Sequence, residues 1–124
     1  MSRYRAQIRE VINRNVVVSL ALEQGFNAFL PVYDGGVDFI LYREADGVLR
    51  KVQLKGRWTI DRKYVGPDIW VAFPIRDDWH LMPHDLMLEH AEANGKTLKS
   101  ASWLEGGAYS KAMPSAATIA QCQP

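Results

Sequence analysis

Asp38, Gln53 and Lys55 are the residues whose types and spacing could do chemistry, in the pattern Asp-x14-Gln-x-Lys. A carboxylate and an amide oxygen are hard ligands, suited to an ion such as Mg2+ that is held by few protein groups and keeps several waters. The amide oxygen is neutral, so such a pair holds the ion less tightly than two acids would. A lysine on the same surface can orient an attacking water or neutralise charge that builds on a phosphate in the transition state. A cation, a positioned water and an ammonium are the parts that phosphodiester hydrolysis requires.

The elements that must position these groups are two strand-like segments, 37–43 and 48–60, with Asp46-Gly47 between them. Asp-Gly flanked by alternating apolar residues is a strong hairpin signal. With Asp46 and Gly47 as a two-residue turn, Asp38 is expected opposite Lys55, Ile40 opposite Gln53 and Tyr42 opposite Lys51. Side chains alternate along a strand, so these six share one face. Phe39, Leu41, Val52 and Leu54 take the other and are all apolar. A half-buried hairpin with an ordinary solvent-facing row would show the same alternation, so the pattern alone leaves both readings open.

Around the hairpin, residues 4–24 are predicted to be helical. Tyr4, Ile8, Val11, Asn15, Val18 and Leu22 recur at helical spacing, Glu10 and Arg14 flank that stripe, and Gly25 ends it. Residues 26–32 read as a short strand and 34–36 as a turn. Residues 61–68 read as a loop, 69–73 as a buried strand and 79–82 as a further strand. A helix is expected from Pro83 to about residue 93, and the tail as loop with a short helix at 115–121. The order αβββ then ββα predicts an α/β or α+β fold with a mixed sheet flanked by helices.

At 124 residues the chain is expected to make a single domain, 1–124. Hydrophobic residues form 48% and charged residues 23%, as in an average globular protein, and no apolar run is long enough to span a membrane. The lone cysteine, Cys122, excludes an intrachain disulfide and fits a reducing, cytoplasmic setting. Net charge is +1 but unevenly spread. Segments 1–14 and 43–63 are basic and 64–124 is acidic, which is compatible with one polyanion-binding face or with ordinary surface charge. His80, His84 and His90 lack a fourth ligand at metal-site spacing and read as surface residues; the four tryptophans read as core. Neither Gly-Gly pair carries the Lys-Ser/Thr of a phosphate-binding loop.

Residues 25–58, GFNAFLPVYDGGVDFILYREADGVLRKVQLKGRW, resemble the core of PD-(D/E)XK nucleases, with the short Q-x-K relatives of the group I intron homing endonuclease type most similar. The segments IWVAFP, WHLMPHD and SWLEGGAYS resemble later parts of such enzymes more loosely. The resemblance implies a restriction-endonuclease-like fold and a Mg2+-dependent endonuclease acting on DNA, with Mn2+ able to substitute. It makes Asp38 and Gln53 metal ligands, adds the Leu54 backbone carbonyl as a third, and gives Lys55 the task of assisting the water. The family also carries a helix glutamate facing the site. This chain reads Asn13-Arg14-Asn15 there, leaving Glu10 or Asn15 as the stand-in. Arg57 and Lys63 are the expected phosphate contacts. A domain this small implies a homodimer or higher homo-oligomer for cutting a duplex. Without the helix acid, the alternative is a DNA-binding module that keeps the nuclease scaffold and does not cut.

Overall fold

A computed structural model describes residues 3–66, 68–94 and 107–111. The chain is mixed α+β and divides into two compact units, residues 1–54 and 55–124.

The first unit opens with helix α1 (Arg3–Glu23), within a residue at each end of the expected span. Its stop is a Schellman arrangement. The Phe26 N–H donates to the Ala21 carbonyl and the Gly25 N–H to the Leu22 carbonyl, each at 3.0 Å. Gly25 sits at φ 88°, the left-handed conformation that this cap demands and that a side chain resists. Strands β1 (Asn27–Phe29), β2 (Phe39–Arg43) and β3 (Val48–Leu54) follow as an antiparallel meander, with Ala28 opposite Leu41 and Phe39 opposite Val52. Val17, Phe26, Phe39, Leu41 and Val52 are its buried apolar residues.

The face that α1 buries differs from the one periodicity picked out. Asn13, Arg14, Val17, Val18 and Ala21 are its covered or half-covered residues, whereas Tyr4, Ile8, Val11, Asn15 and Leu22 are exposed. Apolar residues run nearly all round the second half of this helix, so spacing alone cannot say which side packs.

The second unit contains β4 (Trp58–Asp61), a 3-10 turn (Arg62–Tyr64), β5 (Ile69–Ile75), β6 (Asp78–Pro83), α2 (His84–Asn94) and β7 (Ala108–Lys111). β5 and β6 form a hairpin through Arg76-Asp77, and β4 pairs with β7. The expected single strand over 48–60 is therefore two strands, β3 and β4, broken at Lys55–Arg57. β7 falls where a loop was expected. Trp58, Ile60, Val71, Phe73, Ile75, Met82, Met87 and Ala91 make one buried cluster, with α2 packed on β4, β5 and β6. The expected helix at 115–121 and Trp103 lie outside the described residues. Among the described residues, no helix is long and apolar enough to cross a membrane.

Candidate functional site at the end of the central hairpin

The turn between β2 and β3 is longer than a two-residue Asp-Gly turn. Residues 44–47 all lie in it, and Arg43 pairs with Val48, Tyr42 with Leu49 and Ile40 with Lys51. A fork of hydrogen bonds stabilises this longer loop. Arg43 Nε donates to both Asp46 carboxylate oxygens at 3.0 Å and Nη2 donates to Oδ2 at 2.7 Å. Asp46 Oδ1 also accepts from the Val48 N–H at 3.2 Å, and Gly47 takes φ 71°. The Arg43 guanidinium holds the Asp46 carboxyl below the usual aspartate range. Arg43 and Arg50 lie over the buried Phe26 ring, their guanidinium carbons 4.5 and 5.5 Å from its centroid.

The register expected from a two-residue turn is thus corrected by two positions. An even slip keeps every side chain on its face. Phe39, Leu41 and Val52 are buried as expected, and Ile40, Tyr42, Lys51 and Gln53 are half-buried. Asp38, however, does not sit across from Lys55.

Instead Asp38 closes the open end of the hairpin. Its N–H donates to the Val52 carbonyl at 2.9 Å, and its Oδ2 accepts the Leu54 N–H at 2.7 Å. The carboxylate replaces the backbone acceptor that Leu54 would otherwise find on β2. A residue in an antiparallel strand directs its N–H and C=O to the same neighbour, so the Leu54 carbonyl leaves the strand on the Asp38 side. Just before it on β3 stands Gln53, whose Oε1 is buried without a hydrogen-bond partner. An unsatisfied buried acceptor costs about 1–3 kcal/mol, which a bound cation or donor would offset. An aspartate oxygen, an amide oxygen and a peptide carbonyl all fit a hard divalent ion. Among the described residues, no three His, Cys, Asp or Glu side chains cluster to hold a metal, so the candidate donor set is this mixed one.

The remaining residues singled out by sequence fall as follows. Lys55 opens the second unit, and its N–H donates to the Ala72 carbonyl at 2.8 Å. Its ammonium lies 5.6 Å from the centre of the Tyr64 ring, and that of Lys63 lies 5.2 Å from the same ring. Two of the cations chosen from sequence are therefore gathered on one buried aromatic. Lys63 also stands 3.9 Å from Asp61. Arg57 is exposed in the β3–β4 connection. Glu10 and Asn15 are both exposed, but on different sides of α1. Glu10 projects from the side of Val17, seven residues on, whereas Asn15 projects from the opposite, exposed side.

Sequence reasoning missed Tyr64 and His84. His84 is fully buried, correcting its reading as a surface histidine. Its Nε2 accepts the Asp61 N–H at 3.0 Å, so the neutral ring carries its proton on Nδ1, 3.8 Å from Asp85 and too far for a hydrogen bond. Burial holds its pKa below the ordinary histidine value, against the opposing pull of Asp85 and Asp61. The ring also meets Tyr64 edge-on at 5.5 Å. His84 thus ties α2 to the Asp61–Tyr64 turn. No sequence signal marked it, because its acceptor role depends on a backbone N–H 23 residues away.

No family model, no curated protein and no solved structure matches this chain.

Proposed function

We propose that the chain is a metal-dependent endonuclease domain on a restriction-endonuclease-like scaffold, hydrolysing DNA phosphodiester bonds in the cytoplasm. Two observations at the end of β3 support this reading: Asp38 Oδ2 accepts the Leu54 N–H, and Gln53, the residue before Leu54, has a buried side-chain oxygen with no hydrogen-bond partner. Asp38, Gln53 and the Leu54 carbonyl would hold Mg2+, or Mn2+ in its place. When bound, the ion would supply Lewis-acid polarisation of the phosphate and favour deprotonation of water.

The chain's own residues do the rest. The Leu54 N–H holds one Asp38 oxygen, which fixes the carboxylate's orientation. Lys55, two residues beyond Gln53, would assist the attacking water with its ammonium. In the reaction, the water oxygen bonds to phosphorus and one phosphorus–oxygen ester bond breaks. The departing oxygen ends with a proton that solvent relays from the attacking water. Arg57 and Lys63 supply sequence-independent phosphate contacts. Cutting both strands of a duplex calls for two or more copies of so small a chain.

The test is nicking of supercoiled plasmid in Mg2+. The wild-type protein is expected to nick, EDTA to stop it, and Lys55→Ala to slow it by about 100-fold or more. Equal nicking by Lys55→Ala contradicts the mechanism.

The second reading, a non-catalytic DNA-binding module, draws on α1. Asn15 lies on the exposed side and Glu10 is exposed, so no helix carboxylate is buried to complete an acidic site. That reading expects salt-sensitive DNA binding with no nicking at any Mg2+ or Mn2+ concentration.

A further inference from the structure

Helix α1 carries an apolar row on the side facing away from its packed face. Ile8, Ile12, Val16 and Leu20 follow at four-residue spacing, and each is 40–43% exposed. The row drifts by only about 40° per step, so it forms one i, i+4 ridge of the kind that packs against another helix. Exposed apolar side chains in one continuous row are the kind of surface that interaction sites use.

The row is symmetric about residue 14. In an antiparallel pairing of two α1 helices centred there, Ile12 meets Val16 of the second copy and Ile8 meets Leu20 of the second copy. The charges at the two ends obey the same symmetry. Arg5 and Glu23 project along the middle of the ridge, one near each end of the helix, and this pairing sets each against the other.

The end charges of α1 also run against its own dipole. It has no acid in its first turn and no base in its last, with arginine near the start and glutamate at the close. A lone helix prefers the reverse. In an antiparallel pair, Arg5 comes opposite Glu23 and the negative end of the neighbouring helix, so the end charges of the two copies are complementary.

We infer that this ridge of α1 is the self-association surface of the protein, pairing antiparallel with a second copy across a twofold axis at residue 14. The inference stands on α1 alone and holds whether or not the chain cuts DNA.

The test is sedimentation velocity of the full chain over a concentration series, read without any nuclease assay. Wild type is expected to move as a dimer, twice 14.0 kDa, and dissociate on dilution. Ile12→Glu is expected to raise the dimer dissociation constant by about 100-fold or more, because it places a carboxylate at an apolar contact. Its circular dichroism should match wild type, since Ile12 lies off the packed face. Arg5→Glu should weaken the dimer several-fold, and Arg5→Glu combined with Glu23→Arg should restore it. A monomer at every concentration overturns the inference. A dimer that Ile12→Glu does not disturb, or one that the charge swap does not rescue, overturns it equally.

Discussion

The two units handle their apolar residues in opposite ways. The second closes around Trp58, Phe73, Met82 and Met87, all nearly free of solvent, and Val65 is its one large apolar residue left exposed among those described. The first buries Val17, Phe26, Phe39, Leu41 and Val52. It leaves open Tyr4, Ile8, Val11, Ile12, Val16, Leu20 and Leu22 on the helix, and Phe29, Leu30, Val32 and Tyr33 just beyond it. Val32 is wholly exposed, at 108% of its reference area. The open helix flank and the exposed apolar loop belong to the unit that also holds Asp38 and Gln53.

The largest effect that would sharpen this contrast is in the second core. Trp58→Ala should lower the unfolding free energy by about 3–5 kcal/mol, because the ring's contacts on every side are lost. Val11→Ala, on the open side of α1 and off the symmetric ridge, should change it by about 0.5 kcal/mol or less. Comparable losses in urea titrations of the two variants would erase the contrast.

A smaller effect belongs to His84. Its folded pKa lies below the ordinary value because burial favours the neutral ring. The unfolded chain, titrating near pH 6.5, therefore binds the proton first as pH falls. Stability is complete above that pH and declines as pH drops from there through the folded pKa. Protonation also puts a hydrogen on Nε2, where the Asp61 N–H now donates. His84→Gln keeps an acceptor there without titrating. Its urea midpoint should fall less between pH 7 and pH 5 than that of wild type, and equal slopes would remove His84 from the account.

How far the sequence revealed these features depended on which interactions set them. Helix α1 and its stop were legible because the apolar spacing and Gly25 are local signals. Its packed side was not, because Val17 and Ala21 compete with Ile8 and Val11 and only tertiary contact decides between them. The hairpin was legible from Asp46-Gly47, yet the turn closes at Arg43 and Val48, bridged by Arg43 to Asp46, and the register lies two residues from the expected one. The slip was even, so the division into an apolar and a polar face survived it. The Asp38 carboxylate bond to the Leu54 amide had no sequence signature, since it replaces a strand partner at the point where the ladder ends. His84 was hidden for a similar reason, its partner being a distant backbone N–H.

The most direct measurement is calorimetric titration of Mn2+ into the wild-type chain, Asp38→Asn and Gln53→Leu. Wild type is expected to take up one ion per chain. Asp38→Asn, which keeps an acceptor for the Leu54 amide but loses the charge, should weaken uptake by about 10-fold or more, a loss of about 1.4 kcal/mol. Gln53→Leu should weaken it less. Uptake by Asp38→Asn equal to that of wild type, or no uptake by wild type, would contradict a cation site at the end of β3.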